Sequence, residues 1–172
     1  GDFKISAQDI KNLAERLAQS FDYILLDCPA GIELGFHRAV TAAQEALIVT
    51  TPHISSIRDA DKVINLLGTY NIDSIGIVIN RARGDLIATG DMLSAEEISG
   101  LLKKKISGLI PESDSIAYST AVGRTLFGGA DIKECFSILA DNIHNNKYRL
   151  YDCTKMYRGF LGVIKRNIKK RV

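Results

Sequence analysis

Short apolar runs alternate with amphipathic stretches along most of the chain. Behind Ser6, a good N-cap residue, Ile10, Leu13, Ala14 and Leu17 recur at helical spacing. Residues 23–26, Tyr-Ile-Leu-Leu, form a continuous apolar run ending at Asp27, which predicts a short strand buried on both faces. A helical pattern over 36–44 leads to a second buried strand at 46–50, stopped by Pro52. Ile57, Ala60, Val63, Ile64 and Leu67 share one face of a predicted helix over 55–67, closed by Gly68. A third strand is predicted at 75–79. Ser94 and Glu97 have the spacing of a capping box for the next helix. A strand over 107–110 then runs into Pro111, and the last body helix covers 132–143.

Strands alternating with helices, with crossovers of this length, predict an α/β fold with a parallel sheet flanked by helices. Polar residues follow the predicted strands in turn: Asp27, Thr50-Thr51, Asn80-Arg81 and Glu112. Open sheets of this kind place their ligand crevice along that carboxyl edge.

Composition changes the picture mainly through its unevenness. The 172 residues suit one domain with a genuine core. Residues 1–154 hold 15 Lys/Arg against 20 Asp/Glu, whereas 155–172 hold seven Lys/Arg and no acid. An anionic partner is therefore expected for the tail, not for the body. Cys28, Cys135 and Cys153 have no metal-ligand spacing and suit a reducing compartment. The first residues lack a secretory-type apolar segment, and no run reaches the roughly 18–20 apolar residues needed to cross a bilayer.

A buried strand ending in aspartate is the arrangement of a Walker B element, which fixes a carboxylate where it can hold Mg²⁺ beside phosphates. Pro29-Ala30-Gly31 makes a side-chain-poor loop after it, and Gly31 can present its backbone N–H to a terminal phosphate. The Asn80 amide carries a donor and an acceptor that match adenine's edge, although such an amide also bonds readily to local backbone.

These residues resemble the MinD division-site-selection ATPases of the ParA/MinD group, which carry a deviant Walker A loop. The resemblance rests on 21–33, Phe-Asp-Tyr-Ile-Leu-Leu-Asp-Cys-Pro-Ala-Gly-Ile-Glu, on 46–52, and on Ser56-Ile57-Arg58-Asp59-Ala60-Asp61-Lys62. It continues through 78–81, 90–94, 108–112 and the basic end. It implies a P-loop NTPase-like fold that binds ATP and Mg²⁺, with Asp27 as the Walker B aspartate holding the metal through a water. Cys28, Pro29, Ala30, Gly31, Ile32 and Glu33 would be switch II. Asn80 would bond adenine, Arg81 would lie beside the base, and Pro111 and Glu112 would close over it. Arg58, Asp59 and Asp61 would meet protein partners.

No Gly-X-X-X-X-Gly-Lys-Ser/Thr pattern occurs in the sequence, and the chain opens on Gly1. The expectation is a C-terminal part of a MinD-like protein, without the P-loop, its strand or switch I, and inactive alone as an ATPase.

In the tail, Met156, Tyr157, Phe160, Leu161, Val163, Ile164, Ile168 and Val172 fall on one half of a helical projection. Lys155, Arg158, Lys165, Arg166, Lys169 and Lys170 take the other half. This pattern predicts an amphipathic helix on anionic lipid, with Phe160, Leu161, Ile164 and Ile168 entering the headgroup boundary. The expected organisation is therefore an ATPase-like body over 1–145, a polar tether over 146–154 and a membrane-targeting segment over 155–172.

The resemblance implies an ATP-dependent homodimer, cytoplasmic and peripheral on the inner membrane face or its plastid stromal equivalent. Its implied partners are a MinC-like division inhibitor and a MinE-like topological-specificity factor, with no nucleic acid. A ParA-type DNA partition ATPase and a non-enzymatic membrane adaptor remain alternative readings.

Overall fold

The computed structural model describes residues 5–28, 31–123, 129–159 and 162. They fall into two compact units, Gly1–Ala46 with Lys62–Ile75, and Leu47–Asp61 with Gly76–Val172.

In the first unit, α1 (Ala7–Leu17) starts at Ser6 in a capping box. The Ser6 hydroxyl accepts from the Asp9 backbone N–H at 3.1 Å, and Asp9 accepts from the Ser6 N–H at 2.8 Å. Two backbone donors of the first turn are thereby satisfied. The Ser6 hydroxyl, donating to Asp9 Oδ2 at 2.6 Å, and the Ser6 N–H hold the Asp9 carboxyl below its ordinary range. α2 (Leu34–Ala42) buries Phe36, Ala39 and Val40 and packs against α1. His37 of α2 shares a hydrogen bond with the hydroxyl of Tyr70, in the turn after α3 (Ile54–Gly68).

The predicted strand over 23–26 is not there. These residues adopt no regular secondary structure, and Phe21, Tyr23 and Leu25 are exposed, Leu25 at 90%. A run of this kind becomes a strand only when neighbouring strands take up its backbone N–H and C=O groups. Among the described residues none does.

The second unit carries a three-stranded sheet, β1 (Ala46–Thr50), β2 (Ile75–Ala82) and β3 (Ile106–Pro111), in the order β1-β2-β3. β2 and β3 run parallel. Between them lie α4 (Gly84–Ile87) and α5 (Ala95–Leu102), as a parallel crossover requires. α5 opens with the expected Ser94–Glu97 capping box. Among the described residues no strand precedes α1.

The core of this unit is made by Ile77, Val78 and Ile79 of β2, Leu109 and Ile110 of β3, and Ile98 of α5. After β3 come α6 (Asp114–Ala121) and α7 (Ala130–Asn145). α7 lies on β3 so closely that a Cβ on Gly108 would sit 2.7 Å from Leu139. Val78, Ile110 and Cys135 form a buried cluster covered by Ile116, Leu139 and Tyr151.

Where the sequence predicts a polar tether over 146–154, the chain is bonded into the body. Asn142, itself buried, donates to the carbonyls of Ser107 at 2.8 Å and Arg149 at 2.6 Å, and accepts from the Arg149 N–H at 3.2 Å. Cys153 is buried too. The Asn142 amide, on the preceding helix, satisfies backbone groups of this segment inside the fold. A short 3₁₀ turn, Lys155–Tyr157, follows.

Candidate functional site

The carboxyl ends of β2 and β3 bring four of the expected site residues together. β2 runs beyond its predicted end, so Asn80 and Arg81 belong to the strand. Its pairing with β3 shifts register between Ile79 and Ala82, and Arg81 has φ 59°, a left-handed conformation rare for a side chain of its size. Residues held there cost roughly 1–3 kcal/mol and gather at functional sites. The bulge ends the regular alternation where Asn80, Arg81, Pro111 and Glu112 meet.

The Asn80 Oδ1 accepts from the Arg81 backbone N–H at 2.9 Å. One lone pair of the amide oxygen is thus engaged locally, and Nδ2 has no partner among the described residues. An amide oxygen has two lone pairs, so this side chain keeps both a donor and an acceptor to offer. Arg81 lies 3.5 Å from Glu112 in an exposed ion pair. The Glu112 backbone N–H donates to Ala82 at 3.0 Å, which holds the end of β3 against β2.

Behind this edge sits a pair that the sequence reading did not pick out. Arg83 grips Asp85 through two parallel bonds, Nε to Oδ1 at 3.1 Å and Nη2 to Oδ2 at 2.6 Å, and reaches Glu112 at 4.0 Å. The Asp85 side chain is only 10% exposed, so Arg83 supplies its countercharge, and this bonding keeps the guanidinium firmly protonated. The signal available in the sequence was Arg-Gly-Asp directly after a buried strand, with opposite charges two residues apart.

The remaining expected residues lie elsewhere. Asp27 and Cys28 are exposed at the end of the irregular 21–28 stretch, in the first unit, and Asp27 has no ion pair among the described residues. Such a carboxylate fits a magnesium held through water and phosphates, since Mg²⁺ takes few protein ligands there. Among the described residues no group of three His, Cys, Asp or Glu gathers as a metal site. Desolvation, with the Asp27 charge, raises the Cys28 thiol, so it is not an activated nucleophile. Pro29 and Ala30 lie outside the described residues. Gly31 has φ 114° with open space where a Cβ would be, so backbone strain alone favours glycine. Ile32 is exposed, and Glu33 is the N-cap of α2 without a side-chain cap bond.

Arg58, Asp59 and Asp61 lie exposed on α3, away from the buried Ile57 and Ala60. Of the tail residues, Phe160, Leu161, Ile164, Lys165, Arg166, Ile168, Lys169 and Lys170 lie outside the described residues. No described helix is long and apolar enough to cross a membrane. A cleft of about 710 Å³ opens between Ile87, Ser94, Glu96, Asp152, Tyr157 and Arg158. Asn80 and Arg81 do not line it.

Residues 5–94 match the family described as ParA: NUBPL iron-transfer P-loop NTPase. The septum site-determining protein MinD of Synechocystis sp. is 46% identical over 122 residues, 71% of this chain and 46% of that protein. The solved MinD cell division protein of Aquifex aeolicus superposes with a TM-score of 0.79 at 36% identity, over 85% of this chain and 64% of that one. The Aquifex aeolicus MinC:MinD complex gives 0.79 and 36%, over 86% and 62%. The chain thus spans about half the length of the Synechocystis relative.

The expectation of a C-terminal part, set apart by its missing P-loop, is corrected by these matches. Family identity begins at residue 5 and runs over most of the chain. The chain belongs to the ParA family of P-loop NTPases and is homologous to its MinD-type septum-placement ATPases.

Proposed function

We propose that the protein acts as a MinD-like, ATP-dependent, membrane-associated switch in septum placement. The observation that carries this reading is the likeness to MinD of Aquifex aeolicus over 85% of the chain. The cation-only tail agrees with it.

In this reading Asn80 donates through Nδ2 to the adenine ring, Arg81 lies along the base, and Pro111 and Glu112 close that side. Asp27 is the carboxylate that would hold Mg²⁺ through a water. The metal, when bound, offsets phosphate charge during attack by water on the γ-phosphate. The 28–33 loop orients that water and faces the second subunit of an ATP-dependent homodimer. The exposed Arg58, Asp59 and Asp61 meet a MinC-like inhibitor or a MinE-like factor. The tail lies on anionic lipid of the inner membrane face, or its plastid equivalent. Two tails in a dimer bind more tightly than one, through effective concentration.

Co-sedimentation tests the membrane output. Vesicles containing anionic lipid are expected to bring down the chain, neutral vesicles and duplex DNA are not, and Phe160→Glu should lower vesicle binding at least tenfold. Binding that is unchanged by the substitution, or that follows the DNA, sinks the reading.

A further inference from the structure

The tail is joined to the adenine side of the second unit through a tightly seated root. Residues 149–158 run as a strap whose near end is clamped by the Asn142 amide at Arg149. Its middle packs through Tyr151 against the Val78, Ile110 and Cys135 cluster. Its far end lies on α4. A Cβ built on Gly84 would stand 1.9 Å from the Cys153 carbonyl oxygen and 2.6 Å from its carbon. Gly84 is therefore fixed by space, not by backbone conformation, because only a hydrogen fits beneath that carbonyl.

The Lys155–Tyr157 turn packs on α4, and a Cβ on Gly162 would come within 2.3 Å of the Tyr157 carbonyl carbon. Asp152 keeps the turn closed by accepting from the Thr154 hydroxyl at 2.7 Å and pairing with Arg158 at 3.2 Å.

α4 is also where the charges of the adenine edge end. Arg81 reaches Glu112, Glu112 reaches Arg83, and Arg83 grips the buried Asp85, one residue beyond Gly84. Both Asp85 and Glu112 act electrostatically on Arg83, as does Tyr157 of the root.

We propose that α4 is a latch, in which the Arg81–Glu112–Arg83–Asp85 chain of charges holds Gly84 against Cys153, so that disturbing Glu112 at the nucleotide edge loosens the root of the tail. Its place in switching rests on the proposed membrane function; the mechanical coupling does not. Nucleotide binding at the edge would act by drawing Glu112 away from Arg83. Burial raises the Cys153 thiol to about 11, which makes its protection a sensitive report of the seat.

The test is the alkylation rate of each cysteine of the whole chain by iodoacetamide, resolved by peptide mass spectrometry, without nucleotide or lipid. In the wild type the exposed Cys28 should react faster than the buried Cys135 and Cys153. Gly84→Val is expected to speed Cys153 at least tenfold, and Glu112→Gln at least threefold, with Cys135 still protected in both. Glu96→Gln, on the cleft rim but outside the charge chain, should change nothing. If Gly84→Val exposes Cys135 as well, Gly84→Ala replaces it under the same expectation. An unchanged Cys153 rate in both glycine variants overturns the seat, and an unchanged rate in Glu112→Gln overturns the coupling. Neither outcome depends on vesicle binding, so failure of the latch and failure of the membrane reading are told apart.

Discussion

Two apolar regions of the chain end up in opposite physical states. Residues 75–82 and 106–111 are strands inside a core, with Ile77 and Ile79 under 2% exposed, and they hold Asn80, Arg81 and the following Glu112 in place through backbone bonds. Residues 21–28 have comparable apolar content, yet they form no ladder, and Leu25 is 90% exposed. Apolar sequence supplies a reason to be buried; a strand also needs partners for every backbone group. The edge that carries Asn80, Arg81 and Glu112 is therefore ordered by its ladder, whereas Asp27 ends a stretch that has none among the described residues.

The contrast should appear most strongly in stability. Ile79→Ala or Ile98→Ala, which empty fully buried sites, are expected to cost about 3 kcal/mol, while Leu25→Ala should stay within about 0.5 kcal/mol. Urea unfolding measures both, and a large loss at Leu25 would erase the distinction. Asn142→Ala comes next. It strands the carbonyls of Ser107 and Arg149 and the Arg149 N–H, and should cost about 2 kcal/mol by the same measurement. Ser94→Ala, which removes the cap of α5, should cost about 1 kcal/mol. The smallest effect sharpens the account of the edge itself. Arg81→Gly relieves the positive φ and loses only an exposed ion pair, so stability should rise by about 0.5 kcal/mol. A clear loss would mean that Arg81 packs more than its exposure suggests.

The three strands were legible because their apolar runs are bounded by polar or proline residues, and those bounds also marked Asn80, Arg81 and Glu112. α5 was legible from Ser94 and Glu97. α4 and α6 were not: Gly-Asp-Leu-Ile is too short for a period, and the apolar residues of Asp114–Ala121 define only a weak face. The 23–26 run misled because strand pairing is non-local and cannot be seen in four residues. Arg83 and Asp85 escaped notice because a charged pair around a glycine looks like an ordinary turn, and nothing nearby in sequence says that Asp85 is buried. The strap escaped for the opposite reason, since Asn-rich polarity suggested solvent where a buried amide does the holding.

Amide hydrogen exchange read residue by residue tests the central claim that the β2–β3 edge is ordered by its strand pairing and residues 23–26, apolar as they are, pair with no strand among the described residues. The account predicts that amides of 77–80 and 108–110 exchange at least a thousandfold more slowly than those of 24–26. Protection over 24–26 equal to that of β2 would contradict it.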